Sequence, residues 1–340
     1  MIAAKLSTKS QILWLIALIL GTIFVLNKNN NREPYNTVSG GIFGTIYHIT
    51  YQYDGNLKPE IEQELKKFDA SLSPFNNKSV ISRINRNETA QTDSFFRTVF
   101  KRSMEISQLT GGAFDITIAP LANAWGFGFK KGDWPTPNTI DSLQQLIGYG
   151  KIELRGDTVY KHDPRIMISA SAIAKGYAVD VIAKLLDRKG IKNYLVEIGG
   201  EIVASGINSR KENWRIAINK PVDDSLAVNQ EQYAVLELTG KGLATSGNYR
   251  NYYYKDGKKY AHTIDPTTGY PVEHNLLSTT VIASDCMTAD ALATAFMVMG
   301  LKKAEEFTRQ YPDIAAYFIY TDEDGTYRSS STESMKQYIR

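Results

Sequence analysis

Cysteine is all but absent: the chain has one, Cys286. With no second thiol there is no internal disulfide, which fits an oxidising or a reducing compartment equally. Nothing beside Cys286 serves it as a base, so it reads as a small filler of apolar space. A surplus of one charge is missing too. Lys and Arg number 39 against 36 Asp and Glu, a formal net charge of +3, and no basic run is dense enough to grip a polyanion. The 20 tyrosines are scattered and form no base-stacking motif. Nucleic acid is thereby excluded as a partner. There is no short tandem repeat and no glycine-rich dinucleotide fingerprint behind a strand. What is present is ordinary globular composition, 43% hydrophobic and 22% charged over 340 residues, enough for a large buried core.

The N-terminal stretch is of a different kind. Lys5 and Lys9 precede QILWLIALILGTIFVL, residues 11–26, and the polar NKNNNREP follows. A basic start ahead of an apolar run is an export signal or a membrane anchor. A full helical span takes roughly 20 apolar residues, so this run is short, with Trp14 and its flanks able to adjust at the interface. No small-x-small cleavage site follows Leu26, which favours an uncleaved anchor. Positive charge on the short tail places the remainder outside the cytoplasm. A buried structural helix is the competing reading, and the abrupt Asn-rich linker counts against it.

Taken in order, residues 40–51 alternate like a strand, with Gly44 permitting close backbone approach. Residues 57–70 make an amphipathic helix with Ile61, Leu65 and Phe68 on one side. Ser79 caps a short helix holding Ile81 and Ile84, and a helix over residues 95–109 is stopped by Gly111-Gly112. A short helix is expected over residues 140–147. Strands are expected over 152–160 and 165–170 with a turn at Gly156-Asp157, then a helix over 171–189. Strands follow at 193–197, 214–219 and 233–238, with Gly199-Gly200 serving a turn or the close approach of a ligand. A hairpin turns at Asp256-Gly257. The last part reads as strand 276–283, helices 288–299 and 302–310, and strand 315–320. Mixed sheets with flanking helices make the fold class α+β.

Residues 261–300, AHTIDPTTGYPVEHNLLSTTVIASDCMTADALATAFMVMG, concentrate the chemistry. His262 and Asp265 precede Pro266 and Gly269, so a turn holds them near each other. Asp290 and Thr294 stand one helical turn apart and share a face. A carboxylate and a hydroxyl so placed suit a hard cation such as Mg2+. Taken alone, the same pair is explained by helix capping and packing. Upstream, the helix beginning near Ser171 offers unpaired N–H groups to an anion, with Ser169 just before it and Ala172 and Lys175 in its first turns. A solvated helix charge would account for Lys175 by itself.

HTIDPTTGYPV followed by TADALATA resembles the signature of the ApbE family, the FAD:protein FMN transferases. Three more blocks resemble it in the same order: SLSPFNNKSVISRIN, TGGAFDITIAPLANAWGFG and SAIAKGYAVDVIAKLLDRKGIKNYLVEIGGEIVASG. The resemblance runs from about Thr37 to the end. It implies a duplicated T-fold within a single catalytic domain, residues 35–340, after the anchor and linker of residues 1–34. It implies a reaction as well: FMN passes from FAD to a Thr or Ser hydroxyl of an acceptor protein, AMP leaves, and Mg2+ sits at the diphosphate. Such phosphoryl transfer needs positioning and charge neutralisation more than covalent help.

The same resemblance distributes roles. His262 is the base on the acceptor hydroxyl, a task suited to a side chain that ordinarily titrates near neutrality. Asp265 orients it or joins the metal shell. Asp290, Thr294 and the Ala172 carbonyl hold Mg2+. Ala113-Phe114-Asp115 matches the FAD-contacting segment without departure, and Lys175 and Ile264 belong to the cofactor-binding set. Three positions depart. Phe43 stands where relatives carry Met before Gly44-Thr45, and an aromatic there can still lie against a ring system. Phe75 replaces a common Tyr, which leaves stacking as its role. Ser169 replaces an Asp of many relatives, which weakens a contact to flavin or adenosine. A turn role explains Asp115 without a ligand, and a core role explains Phe43.

Many relatives are lipoproteins, but that route needs a Cys just after the apolar run, and Cys286 is far from it. The family modifies a Thr or Ser in a short Asp- and Gly-containing motif ending in Ala-Thr, and no convincing copy is present here. The expected acceptor is therefore another protein, such as a flavin-carrying subunit of an extracytoplasmic redox complex. The expected location is the inner or plasma membrane, with the catalytic domain periplasmic. Two rival functions stay open. One is an FAD pyrophosphatase, with water in place of the acceptor hydroxyl. The other is a non-catalytic FAD-binding module, against which Asp290 and Thr294 argue.

Overall fold

A computed structural model describes residues 14–22, 33–129, 134–220, 232–248, 252–255 and 258–340. Strands β1 (Tyr35–Ile42) and β2 (Thr45–Gln52) pair without a slip from Tyr35↔Gln52 to Ile42↔Thr45. Phe43-Gly44 is therefore a two-residue hairpin turn, and residues 40–51 are two strands rather than one. Both turn residues have positive φ, 53° and 73°. Such a turn matches the twist of its strands, but a bulky residue in its first position carries strain.

Helices α1 (Lys58–Leu72), α2 (Val80–Asn85) and α3 (Ser94–Leu109) follow close to their expected limits. Ser79 accepts from the Ser82 N–H and Asp93 from the Phe96 N–H, so side-chain caps set two of these starts. After α4 (Ala119–Ala124), α5 (Pro137–Gln144) begins ahead of the expected position, because Thr136 caps it and Pro137 presets its first turn. Strands β3 (Ile152–Arg155) and β4 (Thr158–Lys161) form the expected hairpin. Residues 166–170 are irregular and not a strand: Asn85 and Ile116, not a neighbouring strand, take their backbone groups. Helix α6 (Ala174–Arg188) starts after a turn at residues 171–173, which leaves Ser169 and Ala172 ahead of the helix.

Strands β5 (Tyr194–Ile198) and β6 (Glu201–Ser205) turn through Gly199-Gly200, both at positive φ. The chain continues through β7 (Trp214–Asn219), β8 (Gln232–Leu238) and β9 (Lys241–Gly247). Then β10 (Tyr252–Lys255) pairs with β11 (Lys258–Ala261). The chain ends in β12 (Leu276–Ala283), α7 (Cys286–Met299), α8 (Leu301–Gln310), β13 (Ala315–Thr321) and β14 (Tyr327–Ser331). The turn residues Asp256 and Gly257, residues 223–230, and Lys5 and Lys9 lie outside the described residues.

One antiparallel sheet runs β1-β2-β5-β6-β9-β12-β13-β14. Its two halves repeat a pattern. In each, two strands, a helical section and two more strands follow in order, with α1 to α6 inserted in the first half and α7 and α8 in the second. Helices cover one face, where Ile49, Val196 and Val281 meet Phe68, Ile182 and Phe296. The β7–β8 hairpin covers part of the other face, where Ile216 and Leu236 meet Leu243 and Ile282. Adjacent residues of β12, Val281 and Ile282, thus belong to different cores, which is why that strand is apolar on both faces. Helix α7 is buried almost all round, as its unbroken apolar sequence requires.

Residues 14–22 are helical, and their Trp14, Leu15 and Leu18 side chains are exposed. Among the described residues no helix is long and apolar enough to cross a membrane. The flanks of the apolar run, residues 11–13 and 23–26, lie outside the described residues.

Candidate active site

Helices α6 and α7 touch at Gly176. A Cβ there would stand 2.3 Å from the Cys286 carbonyl oxygen and 2.8 Å from Asp290 Cβ, so only glycine lets the two elements approach. Its N–H, one of the donors left over in the first turn of α6, donates to Asp290 Oδ2 at 3.0 Å. It does not serve the Ala172 carbonyl four residues back, and no backbone N–H among the described residues does. Thr294 lies one turn beyond Asp290 and is half-buried. The crossing holds the Asp290 carboxylate, with Thr294 one turn along α7 and the Ala172 carbonyl just ahead of α6. Those are the donors Mg2+ takes, in a set that leaves places for water. Among the described residues no group of three or more His, Cys, Asp or Glu side chains could hold a metal ion. The start of α7 is secured from α6 as well: the Asp180 carboxylate accepts from the Cys286 and Met287 N–H groups, both at 2.9 Å.

Beside this crossing the Lys175 ammonium bonds Glu201 Oε1. Glu201 is 3% exposed, and its Oε2 has no hydrogen-bond partner. Burial works against the Lys175 charge, but the Asp290 and Glu201 carboxylates outweigh it and hold the ammonium protonated above the usual lysine range. Burial raises the carboxyl of Asp290, against the pull of Lys175 and the Gly176 N–H. Burial likewise raises that of Glu201, opposed by Lys175 and reinforced by Asp290. One ammonium thus faces two buried carboxylates and cannot neutralise both. The glycine turn before Glu201 is packed close: a Cβ on Gly199 would meet Thr45 Cγ2 at 3.0 Å and Lys175 Cδ at 3.4 Å. The Phe43-Gly44-Thr45 turn, the Gly199-Gly200 turn and the start of α6 are therefore neighbours. Sequence reasoning missed Glu201, and the signal for it was an acid directly behind a glycine pair on a strand due to be buried.

A second group of segments is tied together by side chains of the Ser- and Asn-rich block. Asn85 donates to the Ile168 carbonyl and accepts the Ile168 N–H, while Ser169 N–H donates to the Ile116 carbonyl at 2.7 Å. This sets Ser169 beside the Ala113-Phe114-Asp115 segment. Asp115 turns inward: one oxygen accepts from the Thr117 N–H and hydroxyl, the other from the Tyr149 N–H at 2.7 Å. Burial raises its carboxyl and these bonds pull it back. The observed work of Asp115 is to pin residues 115–117 to the loop ahead of β3. Phe114 is core. The Ser169 hydroxyl contacts Ser171 Oγ, a weaker arrangement than a carboxylate would give. Phe43 packs on Phe68 with ring centroids 5.4 Å apart, whereas Phe75 is 71% exposed.

A turn forms over residues 265–269, with His262 three residues ahead of it. The Asp265 carbonyl accepts from the Gly269 N–H, and its Oδ1 accepts from the Thr267 N–H at 2.8 Å. Trp125 Nε1 donates to the Gly269 carbonyl at 2.9 Å, and Gln144 donates to the Pro266 carbonyl, so α4 and α5 clamp the loop. Ile264 is buried with Leu121, Trp125 and Ile140 and is a packing anchor of the same clamp. His262 is half-buried, edge-on to Phe127, which itself stacks on Tyr253 of the β10–β11 hairpin. Thr263 Oγ1 donates to Asn248 Oδ1 at 2.7 Å, and the Asn248 N–H donates to the Leu277 carbonyl at the start of β12. Two residues on, Thr279 donates to the Ala293 carbonyl next to Thr294. Strand β12 so links the His262 loop to the helix of Asp290.

The profile of the ApbE family matches residues 43–318. An FAD:protein FMN transferase of Haemophilus influenzae is 38% identical over 317 residues, covering 88% of this chain and 90% of that protein. One of Vibrio cholerae is 35% identical over 337 residues, covering 96% and 98%. Among solved structures, the flavin transferase ApbE from Vibrio cholerae superposes with a TM-score of 0.81 at 35% identity, over 90% of this chain and 99% of that one. The apo form of the Pseudomonas stutzeri flavinyl transferase ApbE gives 0.80 at 33%, over 90% and 97%. With the same motifs in the same order on the same antiparallel sheet with flanking helices, the chain belongs to the ApbE family.

Proposed function

We propose that this chain transfers the FMN half of FAD to a Thr or Ser hydroxyl of another protein and releases AMP, in a Mg2+-dependent reaction. The observation that carries the reading is the α6–α7 crossing. A protonated lysine bonded to one buried carboxylate stands there beside a second buried carboxylate on the facing helix, and a cation-bridged diphosphate calls for both kinds of charge. When bound, Mg2+ would be held by Asp290, Thr294 and the Ala172 carbonyl and would neutralise diphosphate charge. The Lys175 ammonium binds and orients the phosphates. His262 takes the proton of the acceptor hydroxyl as that oxygen bonds to the phosphorus on the FMN side. The bond from that phosphorus to the bridging oxygen breaks, and AMP departs with the electron pair. The clamp on the HTIDP loop fixes where the imidazole stands, and Asp265 acts by shaping that turn. Phe75 supplies an exposed ring for stacking, and Ala113 and Ser169 line the adenosine or flavin side.

The acceptor is a separate protein, read as a flavin-carrying subunit of a redox complex. The repeat of two strands, helices and two strands in each half of the sheet supports the duplicated T-fold. The exposed apolar side chains of residues 14–22, behind a basic tail, support an N-terminal membrane anchor with the catalytic domain outside the cytoplasm.

The test uses the chain with FAD, Mg2+ and an acceptor domain, following in-gel flavin fluorescence and AMP release together. A covalent flavin band that vanishes with EDTA and with His262→Ala is expected. FMN and AMP without a band would put hydrolysis in place of transfer. Bound FAD with neither product would leave a flavin-binding module.

A further inference from the structure

Glu201 has no part in the scheme above, yet it is the most deeply placed acid of the cluster. It opens β6 directly after the Gly199-Gly200 turn, is 3% exposed, and bonds Lys175 through Oε1 while Oε2 has no partner. A buried carboxylate oxygen without a donor is costly, and a chain that keeps one calls for an explanation. Lys175 is the member that reaches the surface, with a third of its side chain accessible. Its stem runs along Gly199, which confines how the ammonium can swing. Two anions lie within its influence, Glu201 and Asp290. An ammonium seated on Asp290 would occupy the oxygen that a divalent cation needs, since like charges cannot share one carboxylate at close range.

We propose that Glu201 is a positioning residue that holds the Lys175 ammonium off Asp290, so that Asp290 stays open to a divalent cation while Lys175 faces the diphosphate. The inference rests on Asp290 as a cation ligand, as set out under Proposed function. It assigns Glu201 no contact with substrate and no proton transfer. Its effect passes through Lys175 alone, and that is what can be tested.

The measurement is Mn2+ binding to the full chain without FAD, so that the part Lys175 plays at the diphosphate does not enter, read by electron paramagnetic resonance of the free ion. Glu201→Gln keeps the shape and removes the charge. It is expected to weaken Mn2+ binding about tenfold, because the released ammonium moves to Asp290. Lys175→Met alone is expected to bind Mn2+ at least as tightly as the wild type. The double variant is expected to return to within about threefold of Lys175→Met, because the competitor is gone. Should the glutamine variant not fold, Glu201→Asp keeps the charge but shortens the reach, and a loss of about threefold that Lys175→Met abolishes supports the inference equally. A double variant as weak as Glu201→Gln would overturn the inference, since Glu201 would then act on the cation without Lys175. Unchanged binding in Glu201→Gln would overturn it as well. A wild-type chain that binds no Mn2+ would instead refute the cation reading of Asp290, and the inference with it.

Discussion

Replacing Gly176 by alanine adds one methyl group at the point where the fold and the site meet. That carbon would lie 2.3 Å from the Cys286 carbonyl oxygen, 2.7 Å from the Cys286 carbonyl carbon and 2.8 Å from Asp290 Cβ. Two of the three neighbours are backbone and cannot rotate away, so α6 and α7 must separate. Overpacking of a filled core costs about 1–3 kcal/mol, and rigid neighbours place this site at the upper end. Separation also lengthens the Gly176 N–H···Asp290 bond, and a hydrogen bond to a charged group is worth ~1.5–3 kcal/mol. Alanine's better helix propensity returns about 1 kcal/mol. The net expectation is a loss of roughly 3 kcal/mol, with weaker Mn2+ binding because the Asp290 carboxylate moves. Urea denaturation of wild type, Gly176→Ala and Gly150→Ala makes the comparison. Gly150 has no atom within 4 Å of an added Cβ, so its variant should lie within about 0.5 kcal/mol of wild type. A Gly176→Ala chain that unfolds at the wild-type midpoint and binds Mn2+ normally would refute this account of the crossing.

Three further outcomes follow from the same geometry. His262→Ala should lower flavin transfer by a factor of about 100 or more while FAD binding, read by quenching of flavin fluorescence, is kept. Trp125→Phe removes the donor to the Gly269 carbonyl, so stability should fall by about 1 kcal/mol, and kcat should drop more than KM rises because the His262 loop loses a clamp. Asp180 gives a pH dependence. Burial pushes its carboxyl up to about 7, against the bonds from Cys286 and Met287, so the folded chain keeps this proton at pH values where the unfolded chain has lost it. Its contribution is therefore most favourable below about pH 4 and falls as pH rises toward 7, by up to ~4 kcal/mol. Asp180→Asn should flatten the stability profile over that window in denaturation at stepped pH, and an unchanged slope would show that Asp180 does not titrate there.

Local sequence by itself determined the elements whose signals are local. The cap at Ser79, the apolar spacing of α1, the glycine pair that stops α3, the strand composition of β12 and the turn built on Asp265, Pro266 and Gly269 all act within a few residues. They were legible for that reason. The His262 loop and the Asp290–Thr294 pair were legible as motifs. Contacts between distant segments were not. Residues 165–170 carry a strand-like composition, but Asn85, about eighty positions away, takes their backbone groups, and no local pattern announces that. Asp115 stands in a motif matched for a ligand contact, and its bonds from Thr117 and from the distant Tyr149 appear only in the packed chain. Glu201 looks like any strand acid until β6 is laid beside α6 and its carboxylate is buried against Lys175. Burial and pairing decide the charge state and the task of an acid, and both are properties of the packed chain. Spacing could name the groups, but only the crossing of α6 and α7 at Gly176 put the Asp290 carboxylate beside the Lys175 ammonium and its Glu201 partner.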